Sequence, residues 1–132
     1  MHQSRFLIFC FLIFGFALTS NILQAQTDVN STVALSGKLN KLGMFELSFY
    51  LLDKEMNKDP QGRDKIKVQK AETYFAMRQE DKGMNILNGL SSTSPAYTFS
   101  RLVLGKHLWQ ARKFKEAAAQ FEKYFALILY VD

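Results

Sequence analysis

His107 is the only histidine downstream of residue 25, and a histidine could serve as a nucleophile's base or as a nitrogen ligand for a metal. Either task needs company. A zinc site needs four ligands, and no cysteine stands near His107 to complete one. A nucleophile–base pair needs a serine or cysteine at motif spacing, which the sequence around His107 lacks. The single cysteine, Cys10, lies inside an apolar run near the start of the chain. Spaced carboxylate pairs, glycine-rich phosphate loops and nucleophile elbows are missing as well. The expectation is therefore a protein that is not an enzyme and uses no cofactor and no metal. Lys58, Arg63, Lys65, Lys67 and Lys70 form a basic cluster that could meet an acidic partner or lipid head groups. Asp59, Asp64 and Glu72 interrupt it, and a solvated helix face is the expected reading.

With catalysis set aside, the elements that organise the chain carry the argument. Residues 1–25 read as a signal peptide: Arg5 is the basic start, Phe6–Leu18 is the apolar run, and Leu23-Gln24-Ala25 supplies the small residue before cleavage. Leu23 is larger than the ideal residue at its position. A spanning helix needs roughly 20 apolar residues, more than this run offers before Thr19, Ser20 and Asn21. Membrane association is expected only if this segment stays uncleaved. The Gln24-Ala25-Gln26 ending resembles bacterial export signals. The expected destination is the periplasm or cell envelope, where nucleic acid is not an expected partner. Cleavage takes Cys10 away, so packing alone must stabilise the rest. The formal net charge of +5 favours acidic surfaces only weakly.

Beyond the signal, the chain repeats. Shifted by 34 residues, Ala71 falls on Gly105, Tyr74 on Leu108, Gly83 on Ala117, Leu87 on Phe121 and Leu90 on Tyr124. Shifted back by 35, Gly83 falls on Ser48, Leu87 on Leu52, Tyr74 on Leu39 and Pro95 on Pro60. The extra residue fits the polar loop Asp59–Asp64. Each unit reads as two helices. In the first these are Thr32–Leu42 and Phe45–Met56, with Gly43 at the turn. In the second they are Ile66–Met77 and Lys82–Leu90. In the third, Pro95 starts the first helix, a break follows near Ala111-Arg112-Lys113, and Phe114, Ala117, Phe121 and Phe125 line the second. Helices packed about 8–10 Å apart need small residues where they cross. Ser36, Ala71 and Gly105 are expected at one crossing point of each pair, and Ser48, Gly83 and Ala117 at the other.

This pattern resembles the tetratricopeptide repeat (TPR) over about residues 29–131, with units at about 29–63, 64–97 and 98–131. Unit three, with Gly105, Leu108, Phe114, Ala117 and Phe121, matches best. The departures are Lys70 at a usually apolar position, Glu80 at a usually aromatic one, Glu55 at a usually small one and Leu129 in place of proline. The resemblance implies an all-α solenoid of about three antiparallel helix pairs. It also implies an inner groove, lined by the first helix of each pair, that binds a protein or peptide. By motif position that groove takes Val33, Gly37 and Asn40 from unit one and Lys65, Val68, Glu72 and Phe75 from unit two. Unit three adds Phe99, Leu102, Lys106 and Trp109. An extended peptide with apolar anchors would suit it. One TPR subgroup grips C-terminal carboxylates with Lys and Asn. Val33, Gly37, Gln69, Phe99 and Val103 stand at those positions, so that clamp is not expected.

Residues 125–132 are apolar all round, and a repeat array needs a polar closing face. Three readings fit: continuation into a longer protein, which is the favoured one, self-association through this end, or the last residues folding back on the array. An array that is the spacer or sensory fragment of a longer protein is the alternative to a free-standing adaptor.

Overall fold

The computed structural model describes residues 28–129, so the signal-peptide expectation for residues 1–25 lies outside the described residues. The described chain is all-α, with six helices and no strand. They are α1 (Val29–Lys41), α2 (Phe45–Lys58), α3 (Arg63–Ala76), α4 (Glu80–Asn88), α5 (Tyr97–Gln110) and α6 (Phe114–Leu129). None of them is long and apolar enough to cross a membrane.

The helix starts and stops follow local chemistry. Asp28 caps α1 by accepting from the Ser31 N–H at 2.7 Å, a bond that also lowers the carboxyl's pKa. Before α5, the Ser94 hydroxyl donates to Asp64 of α3 at 2.7 Å and accepts from the Ala96 N–H at 3.2 Å. Pro95 sits in the turn this creates, and α5 proper begins two residues later, at Tyr97.

The turns inside the pairs are one motif used three times. Gly43, Arg78 and Arg112 all have positive φ, at 72°, 60° and 61°. In each, this residue's N–H bonds the carbonyl three back, on Asn40, Phe75 and Trp109. The next N–H bonds the carbonyl five back, on Leu39, Tyr74 and Leu108. This is the Schellman stop, which satisfies the last helical carbonyls and reverses the chain within three residues.

Within each pair the helices meet through small residues. Ser36 and Ser48 are fully buried, their hydroxyls 2.6 Å apart. Ala71 and Ala117 are also fully buried, and Gly83 and Gly105 are buried. A Cβ on Gly83 would come 2.4 Å from the Phe75 ring, and one on Gly105 would come 2.6 Å from the Phe121 ring. Glycine is what lets an aromatic ring lie on the neighbouring backbone at both places.

The pairs then pack on one another. α3 lies against both α1 and α2, and α5 lies against both α3 and α4. The two junctions differ in chemistry. Val68, Ala71, Leu87, Val103, Leu104 and Leu108 belong to one apolar cluster around the second and third pairs. The first pair meets the second partly through polar groups: Ser48 Oγ lies 3.4 Å from Thr73 Oγ1, and Asn40 Nδ2 donates to Thr73 Oγ1 at 2.9 Å, beside an aromatic contact of Phe49 with Tyr74.

The residues that depart from the expected pattern have found partners. Glu55 is buried and lies 3.7 Å from Lys58, and Lys70 pairs with Asp53 of α2. Arg101, absent from the reading of the sequence, is buried without a carboxylate. Its Nη2 donates to the Leu87 carbonyl in the last turn of α4 at 3.0 Å, and its guanidinium lies 4.7 Å from the Tyr97 ring centroid. The negative end of a helix and an aromatic face together hold the charge.

Candidate functional site

Because α3 and α5 each bury one side against the preceding pair, their other side joins α1 in a face made of first helices. Two clefts follow each other along that face. The upper cleft, of 780 Å³, lies at the N-terminal ends of the helices. Val29 and Val33 of α1, Pro95, Ala96 and Phe99 make it apolar, and Asp59, Asp64 and Lys65 contribute its polar part. Gly62 belongs to its lining, and a Cβ there would come 2.4 Å from Val29 Cγ2. Lys65 donates to Asn30 across the cleft. Asp64, accepting from Ser94 and from Lys67, is held below the usual carboxylate range.

The lower cleft, of 560 Å³, is more polar than the upper one and carries three lysines. Lys38 and Lys41 reach it from α1, Gln69, Glu72 and Phe75 from α3, and Val103, Lys106 and His107 from α5. From Lys65 to Glu72, and from Phe99 to Lys106, each helix advances seven residues, about 10 Å at 1.5 Å per residue. Burial raises the Glu72 pKa, and Lys106, 3.8 Å away, only partly offsets this. Gln69 is 2% exposed, yet its Nε2 has no hydrogen-bond partner, and neither does Asn40 Oδ1. Both residues line this cleft. Both atoms are themselves shielded from solvent, so they lie behind the cleft wall, and the groups a ligand can reach are the exposed Lys106 and the partly exposed Glu72.

Most of the residues assigned to a groove by repeat position come together here. Lys65 and Phe99 line the upper cleft with Val33, and Glu72, Phe75 and Lys106 line the lower one with Gly37 and Asn40. Three do not join them. Val68 is a correction: it is 0% exposed and packs in the core, so no partner can reach it. Leu102 is half-buried and lines neither cleft. Trp109 is 59% exposed but also lines neither, and its indole packs edge-on against Phe114 at 5.0 Å.

His107 does not stand free on the surface of α5. It is half-buried and stacked on Phe75, with Nε2 3.9 Å from Glu80. Lys38, Lys41 and His107 were not assigned to the groove from the sequence. On α5 the spacing Val103, Lys106/His107, Gln110 is a helical stripe that would have pointed to it.

The basic cluster is largely compensated. Lys58 lies 3.7 Å from Glu55, Lys67 lies 3.0 Å from Asp64, and Lys70 pairs with Asp53. Among the described residues no three His, Cys, Asp or Glu side chains gather as a metal site would require. No family model, no curated protein and no solved structure matches the chain.

Proposed function

We propose that this chain is a non-catalytic protein-interaction module, a tetratricopeptide-like solenoid that binds an extended peptide segment of a partner protein in the cell envelope. The observation that supports this best is the pairing of an apolar cleft with a more polar one along the same three helices. An apolar side chain of the ligand fits against Val33, Pro95 and Phe99. The ligand's polar groups fit the lower cleft, where Lys106 and Glu72 are the charged side chains it can reach. The clefts' separation of about 10 Å corresponds to about three residues of extended chain. The Arg5 and Phe6–Leu18 pattern supports export, and with it a protein or peptide partner.

The test is a display library of peptides, with affinities of selected binders measured by fluorescence anisotropy. Peptides carrying an apolar anchor should be enriched. Phe99→Ala should weaken binding about tenfold or more, the loss expected when a hot-spot anchor is truncated. Lys106→Glu should weaken it without loss of helicity. Trp109→Ala, outside both clefts, should leave it unchanged. A library that yields no binder, or binders indifferent to Phe99 and Lys106, would remove the clefts from the argument.

A further inference from the structure

Equivalent positions in the three pairs do equivalent work wherever the described residues supply a neighbour. Near the end of α1, Asn40 reaches forward to Thr73 of α3 at 2.9 Å. One unit on, Phe75 of α3 reaches forward to His107 of α5, ring on ring at 3.8 Å. One unit further, Trp109 of α5 has no helix in front of it among the described residues and is 59% exposed. The same series runs backwards at the other end. Leu104 of α5 is 3% exposed within the apolar cluster, and Lys70, its equivalent in α3, pairs with Asp53 of α2. Leu35, the equivalent in α1, is 45% exposed, and Leu42 continues the same stripe at 73%.

The second helices tell the same story. Phe49 of α2 meets Tyr74 of α3 at 4.8 Å, and Met84, its equivalent in α4, packs on the apolar cluster. Ala118 holds that place in α6 and is exposed, and Phe125 and Leu129 extend its stripe into solvent. The two uncovered faces are the two halves of a contact the chain makes twice within itself.

We propose that the protein self-associates head to tail, the α5–α6 face of one copy receiving α1 of the next as α3–α4 receives α5. Continuity with the internal junctions selects a second copy as the occupant, because the face required is the one α1 presents. In this register Leu35 takes the place that Leu104 has inside the chain. Lys38 takes the place of Thr73 and His107, which sets its ammonium over the Trp109 indole as a cation–π pair. The contact is heterologous, so it adds copies in a row and does not close as a two-fold dimer.

The chain is expressed with its own N-terminal segment and purified as the host leaves it, its first residue read by mass spectrometry. Light scattering and sedimentation velocity follow its mass up to about 1 mM, the weak end of specific association. Mass should climb with concentration beyond a dimer, and emission from Trp109, the one tryptophan, should shift to the blue. Leu35→Glu and Trp109→Glu alter exposed side chains, so each variant should keep its helicity, checked by circular dichroism. Alone, each should remain monomeric. Mixed, they should form a one-to-one dimer and stop there, since each supplies the face the other has lost. A wild-type chain that stays monomeric throughout overturns the proposal. So does a Leu35→Glu variant that still dimerises, or a mixture that does not pair.

Discussion

The imidazole of His107 lies flat on the ring of Phe75, centroids 3.8 Å apart and planes 7° from parallel. Phe75 also fills the space where Gly83 has no side chain, so one aromatic ring couples α3 to α4 and to α5. The groups facing His107 act in opposite directions. Burial lowers its pKa most, Glu80 of α4 raises it, and Lys113 in the turn before α6 lowers it again. The net shift is downward from 6.5.

A lowered histidine pKa means that the unfolded chain takes up the proton first. Stability linked to His107 is full above the ordinary histidine range and is lost as pH falls through it toward the folded value. Denaturant unfolding at about pH 7 and about pH 5 should therefore show a larger drop for the wild type than for His107→Phe, which keeps a stacked ring and cannot titrate. The same drop in both proteins would mean that His107 does not titrate differently on folding.

The crossing inside the first pair makes a second prediction. Ser36 and Ser48 share a buried 2.6 Å hydrogen bond, and without Ser48 the Ser36 hydroxyl would lose that partner in a tight crossing. Ser48→Ala should cost about 1–3 kcal/mol, the price of leaving one buried partner unmet. Adding Ser36→Ala should recover part of that loss, because it removes the unpaired hydroxyl, and Ala71 holds the same position in the second pair. A double-mutant cycle from urea titrations measures the coupling. Strict additivity would show that the two hydroxyls do not act as a pair.

Much of this fold was legible in the sequence because a close crossing constrains residue size. Ser36, Ser48, Ala71, Gly83, Gly105 and Ala117 recur at a fixed period, and all six are buried. Six helices follow from the apolar stripes between them. The candidate site was legible only in part. Repeat position put Val68 in the groove, but α3 is covered by α1 and α2 on one side and meets α5 on the other, so its exposed arc is narrow. Spacing along one helix cannot say how wide the neighbours leave that arc. His107 was missed for a related reason: its place depends on Phe75, thirty-two positions back, and a lone histidine carries no pattern of its own. Arg101 was missed because its partner is the Leu87 backbone carbonyl, which no side-chain motif records.

The turn at Arg78 shows what the period adds to composition. A left-handed residue at a helix stop is ordinarily glycine, and the composition of Met77-Arg78-Gln79 gives no such signal. Aligned on Gly43, the position is plain, and Arg78 has φ of 60° and Arg112 of 61°. A residue with a Cβ is strained there by about 1–2 kcal/mol. Glycine relieves that strain but gives the unfolded chain more freedom, so Arg78→Gly and Arg112→Gly should each stabilise the protein by about 0.5–1 kcal/mol. The reverse change supplies the control. A Cβ on Gly43 would meet nothing within 4 Å, so Gly43→Ala probes backbone strain alone and should destabilise by about 1 kcal/mol. Urea titration of the three variants measures both signs. An Arg78→Gly protein less stable than the wild type would show that the arginine side chain contributes more to the turn than its backbone strain takes away.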